Sequence, residues 1–156
     1  MQQNREEKAV ALFEQGYNCA QAVFTAYADL FGIDETTALK LSASFGGGMG
    51  RMREVCGAVS GMFMVCGLVN GSTDPADRAA KAANYAKVQE LAAAFKAQNS
   101  GSILCRDLLA AQSVRSAEGS VPTERTASFY HERPCVKHIR QCARLIENLL
   151  LDDKTK

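Results

Sequence analysis

EVCGAVSGMFMVCGL, Glu54–Leu68, is the stretch on which the fold turns. Beyond Glu54 it carries no charge, and it lacks the apolar–polar alternation of a half-buried strand. The uncharged run continues from Val55 to Asn70. A membrane-spanning helix needs about 20 apolar residues, so this run predicts a helix buried in a protein core. Gly57 and Gly61 are four residues apart, which leaves a smooth strip where a second backbone can come close.

Three- and four-residue apolar spacing recurs on both sides of this segment and predicts helices throughout. A first helix is expected from Arg5 to Gln15, ended by Gly16. Asn18 caps a second through Leu30, and Gly32 ends it. Asp34 caps a third, with Ala38, Leu41 and Phe45 facing inward. Gly46, Gly47, Gly48 and Gly50 break it, and the central helix follows. Asp74-Pro75 signals the start of a fifth helix, to Gln98, packing through Ala83, Val88, Leu91, Ala92 and Phe95. Ser102 opens a short sixth through Leu109, residues 112–133 read as a long polar loop, and Pro134 opens the last. The core stripe of that last helix is Cys135, Ile139, Cys142, Ile146 and Leu149. The expected fold class is all-α: a compact bundle of six to seven helices. One domain is expected over residues 1–156, with a core from about 4 to 150.

Composition narrows the function. With 156 residues, 47% of them hydrophobic, the chain has material for one globular core. Eighteen basic and seventeen acidic side chains leave a net charge of +1, too little for a clustered phosphate-binding surface, so nucleic acid is not an expected partner. The charged start MQQNREEK has no apolar signal segment, and the expected setting is the cytoplasm, without membrane insertion. The high apolar content also suggests a homodimer.

Six cysteines beside only two histidines are the unusual feature. No two form CxxC, which removes the thioredoxin motif and the zinc ribbon. Cys19, Cys56, Cys105 and Cys135 instead fall at expected helix starts, where unsatisfied amides favour a thiolate. Cys66 and Cys142 fall deeper, where cysteine acts as a small hydrophobe. Two chemistries fit four such thiols. They could cycle between dithiol and disulfide with a redox protein or small thiol as partner. The same four could instead ligate an iron–sulfur cluster or zinc. A third reading is a helical interaction module whose cysteines are incidental.

The chain resembles the C_GCAxxG_C_C family, described as "putative redox-active" proteins. YNCAQAV, Tyr17–Val23, matches the surroundings of that family's first cysteine. SFGGGMGRMREVCGAVSGMFMVCGL, Ser44–Leu68, matches its glycine cluster and CGAxxG element, with Cys56 as the second cysteine. GSILCRDLL places the third at Cys105, and Arg133-Pro134-Cys135-Val136 the fourth. The resemblance spans about Asn4 to Leu150, implies a small helical redox protein, and selects the same four cysteines as the helix starts do.

Other residues carry lesser expectations. Gly47, Gly48 and Arg51 form a candidate anion or thiolate support. The glycines are first expected to permit a sharp turn and a close crossing. Arg51 and Arg53 are expected beside Cys56, which makes Cys56 the expected attacking thiol. Cys135, His138 and Cys142 share a helix face and form a weak candidate metal half-site, with His138 otherwise a partly exposed surface residue. Met49, Met52, Met62 and Met64 are expected as core fillers.

Overall fold

The computed structural model describes residues 4–115 and 119–151. Its helices are α1 (Arg5–Glu14), α2 (Cys19–Ala28), α3 (Glu35–Ser42), α4 (Gly57–Asn70), α5 (Arg78–Gln98), α6 (Cys105–Ala111), α7 (Ala127–Glu132) and α8 (Cys135–Leu145). Among the described residues there is no strand, only an isolated antiparallel bridge between Val55 and Leu104. The class is all-α.

Helix α2 occupies the middle, buried along nearly its whole length. Its small residues make that possible. The strip on α4 is used as the spacing suggests: a Cβ on Gly61 would lie 3.0 Å from the Ala20 carbonyl oxygen and 3.1 Å from Val23 Cβ. A Cβ on Gly57 would lie 3.1 Å from both the Ala20 amide nitrogen and Cys19 Cβ. Side chains at either position would push α4 off α2. Helix α8 closes the other side, where the Tyr27 hydroxyl donates to the Ala143 carbonyl at 3.2 Å. Glu6 and Glu7 of α1 pair with Arg140 of α8.

Local caps set the entry of each chain segment. Asn18 and Gln21 form a reciprocal capping box, and Asn18 also donates to the Ala43 carbonyl at 3.0 Å. Asp34 caps α3 through the Thr37 amide. Helix α5 departs from expectation. Asp74 closes a local turn on the Ala76 amide, so the helix starts at Arg78 under the cap of Asp77. Only Leu91 and Phe95 of α5 are buried, and Ala83, expected to pack, is exposed.

Three further expectations need correction. The buried face of α3 runs through Ala38 and Ser42, whose hydroxyl bonds back to Ala38; Leu41 is 51% exposed. Met62 fills the core, but Met52 is 61% exposed because it rides the turn after the glycine cluster. The segment expected as a loop contains α7, capped by the Thr126 side chain on the Phe129 amide. No helix among the described residues is long and apolar enough to cross a membrane.

Candidate functional site

The glycine cluster makes the site. Gly47, Gly48, Met49, Gly50 and Arg51 all have φ between 60° and 73°, so the backbone winds through one left-handed turn. Glycine accepts that conformation without penalty, whereas Met49 and Arg51 each carry roughly 1–2 kcal/mol of strain. Its glycines also leave room where other segments press in. A Cβ on Gly46 would sit 2.2 Å from Asn18 Cγ, and one on Gly48 would sit 2.7 Å from Cys105 Cβ. The start of α2 and the start of α6 therefore press against the two sides of one turn. This matches the expectation of a sharp turn with close approach.

The bridge after the turn aligns the next pair. The Cys56 amide donates to the Ile103 carbonyl at 2.8 Å, and the Cys105 amide donates to the Glu54 carbonyl at 2.6 Å. Cys56 becomes the N-cap of α4, while Cys19, Cys105 and Cys135 are each the first residue of α2, α6 and α8. All four helix-start placements read from the sequence hold. All four cysteines line one cavity of about 320 Å³, together with the glycine turn, Arg51, Arg53, Arg125 and Arg133. Cys66 and Cys142 are fully buried away from it, also as expected.

The four thiols are not equivalent. The hydrogen bond from Cys19 lowers the Cys135 thiol against the opposing effect of burial, and Arg133, Arg125 and Arg53 lower it further. Donating that hydrogen bond, together with burial, holds Cys19 well above the ordinary thiol range. Burial pushes Cys56 up to about 12, and the amides of Val59 and Ala58 only partly offset it. Burial also raises Cys105, although Arg53 Nη1 lies 3.7 Å from its sulfur. Of the four thiols lining the cavity, only Cys135 is lowered from the ordinary range. Burial dominates at Cys56, and the arginines expected beside it are engaged elsewhere. Arg53 turns towards Cys105, and Arg51 reaches across to the Gly119 carbonyl at 2.6 Å and Thr123 Oγ1 at 3.1 Å.

Among the described residues no group of three or more His, Cys, Asp or Glu side chains is placed to hold an ion. Cys19, Cys56, Cys105 and Cys135 as they stand are not such a group. The half-site on α8 fails as well, since Cys142 is buried in the core. His138 is only 5% exposed rather than a surface residue. It packs edge-on against Phe95 with ring centroids 5.5 Å apart, and burial pushes it down to about 4, so the imidazole is neutral.

Two contributors to the cavity wall escape a reading of the sequence. Arg125 lies over the rings of Phe13 and Phe129 at 4.4 and 4.7 Å and donates to the Phe13 and Tyr17 carbonyls. Arg133 lies over Phe129 at 4.6 Å. Both belong to the 112–133 segment. The available signal was Thr126 three residues before Phe129-Tyr130, a helix cap followed by aromatic residues in an otherwise polar stretch.

No curated protein and no solved structure matches the chain. A family model described as "Putative redox-active protein (C_GCAxxG_C_C)" matches residues 17–149, a span holding all four cavity cysteines and the glycine turn between them. The chain belongs to the C_GCAxxG_C_C family.

Proposed function

We propose that the protein is a thiol–disulfide oxidoreductase in which Cys135 attacks and Cys19 resolves. The observation that carries this reading is the convergence of Cys19, Cys56, Cys105 and Cys135 from four helix starts on one cavity, with Cys135 the one thiol lowered and Cys19 the neighbour that lowers it most. Attack needs the thiolate, which Cys135 supplies. Resolution needs a second sulfur within reach, which Cys19 supplies.

The electron balance is that of a two-step exchange. Cys135 thiolate attacks one sulfur of a disulfide RSSR, forming a Cys135–S–R bond and expelling RS⁻. Cys19, giving up its proton to the departing thiolate, then attacks Cys135 Sγ and displaces the second RS⁻. The substrate is reduced to two thiols, and the protein is oxidised to a Cys19–Cys135 disulfide. A separate dithiol reductant returns it to the starting state by the reverse exchange. Arg133 and Arg125 stabilise the attacking thiolate, while Gly47, Gly48 and Arg51 line the same cavity. Cys56 and Cys105 support the site as protonated neighbours of the pair.

Serine variants test the division of roles. Reduced protein is mixed with a disulfide, and the products are resolved by intact mass. Cys135→Ser should lose exchange, and Cys19→Ser should accumulate a stable mixed disulfide on Cys135. Accumulation on Cys56 instead, or full turnover by Cys135→Ser, would overturn the assignment.

A further inference from the structure

The wall of the cavity has a charge character that thiol chemistry alone does not require. Arg51, Arg125 and Arg133 line it, whereas among the described residues no Asp or Glu does. Their partners are neutral: a carbonyl and a hydroxyl for Arg51, carbonyls, a phenol and aromatic rings for Arg125, and a ring for Arg133. Four arginines elsewhere pair with carboxylates: Arg5 with Asp29, Arg106 with Glu54, Arg140 with Glu6 and Glu7, and Arg144 with Glu6. Three guanidinium groups thus stand around the cavity that holds Cys135 with no described carboxylate in its wall.

We propose that the cavity selects a small disulfide or thiol bearing carboxylate groups, bound through Arg51 and Arg133 with its sulfur directed at Cys135. This rests on the thiol–disulfide reading above and adds the substrate class to it. A volume of about 320 Å³ lies at the small end of ligand sites, which suits a low-molecular-mass organic anion and not an inserted protein segment. Guanidinium groups bind carboxylates through paired donors, and low dielectric strengthens that attraction. Arg125 is clamped by the Phe13 and Tyr17 carbonyls between rings, whereas Arg51 keeps donors beyond those given to Gly119 and Thr123, and Arg133 rests on the Phe129 ring, so these two read the ligand.

The test compares two aliphatic disulfides that differ in charge, the dianion 3,3′-dithiodipropionate and the dication cystamine. A bare thiolate repels the first and attracts the second, so selectivity for the dianion must come from the site. We expect reduced wild-type protein to react at least about tenfold faster with the dianion. The ratio should shrink with added salt, because screening weakens charge recognition. It should fall severalfold in Arg51→Gln and Arg133→Gln. Equal rates, or faster reaction with cystamine, overturn the proposal while leaving the thiol–disulfide reading intact. If neither disulfide reacts, that reading fails, and binding decides the substrate class separately. Suberate, the isosteric dicarboxylate without sulfur, should then slow iodoacetamide labelling of Cys135 where neutral 1,8-octanediol does not. No protection by suberate would overturn anion recognition as well.

Discussion

Replacing Cys19 by alanine removes the donor that lowers the Cys135 thiol most. A hydrogen bond to a charged group is worth about 1.5–3 kcal/mol, and one pH unit corresponds to about 1.36 kcal/mol. Cys19→Ala should therefore raise the Cys135 thiol by about one to two pH units. Below both values the thiolate fraction, and with it the alkylation rate, should drop about 10- to 100-fold. Cys19→Ser keeps a hydroxyl donor and should recover much of the effect. Arg133→Gln removes a smaller contribution than Cys19 does and should shift the profile less. The assay is iodoacetamide labelling of reduced protein across pH, with each cysteine followed by peptide mass. In wild type, Cys135 should label at the lowest pH, with Cys56, Cys66 and Cys142 resistant. An unchanged Cys135 profile in Cys19→Ala, or earlier labelling of Cys56 in wild type, would refute the reasoning.

Three other substitutions probe the supporting structure. Gly48→Ala places a Cβ 2.7 Å from Cys105 Cβ and 2.8 Å from the Arg53 and Glu54 backbone at φ +73°; strain and overpacking together should cost about 2–5 kcal/mol in denaturant unfolding, and a loss below about 1 kcal/mol would contradict the packing described. Gly61→Ala should destabilise by up to about 2 kcal/mol, because the α2–α4 clash of about 1–3 kcal/mol opposes the roughly 1 kcal/mol gain in helix propensity; a stabilised variant would show that the helices do not meet there. His138, lowered to about 4 from 6.5, binds its proton more weakly folded than unfolded. Its contribution is thus fully present above pH 6.5 and is lost progressively down to about pH 4, on the order of 3 kcal/mol at most. His138→Phe should flatten that part of the stability–pH curve in urea unfolding, and an unaltered slope would show that the imidazole is not buried neutral.

What the sequence revealed was mostly local. Asn18 and Asp34 cap the helices they precede because capping is decided within three residues. Gly57 and Gly61 mark the α2–α4 crossing because their spacing alone exposes the backbone. The helix-start positions of the four cavity cysteines were legible for the same reason. The identity of the thiolate was not. A helix start favours all four sulfurs alike, and what separates Cys135 from Cys56 is a hydrogen bond from Cys19 and arginines that come from α7's flanks. Cys19 is more than a hundred positions away from Cys135 in the chain, and Arg125 and Arg133 sit in a segment whose polarity hides its helix. Burial of His138 was hidden similarly, since Phe95 reaches it from another helix. Asp74 and Asp77 are both competent caps, and only the turn closed by Asp74 hands the helix to Asp77.

The central claim is that Cys19 and Cys135 are the exchanging pair, and disulfide mapping tests it most directly. Reduced full-length protein is oxidised with one equivalent of a disulfide, free thiols are blocked at low pH, and the cross-linked peptides are identified by mass. The account predicts an intramolecular Cys19–Cys135 disulfide, with Cys56, Cys66, Cys105 and Cys142 recovered as blocked thiols. A first-formed bond between Cys56 and Cys105, or one that leaves Cys135 free, would contradict it.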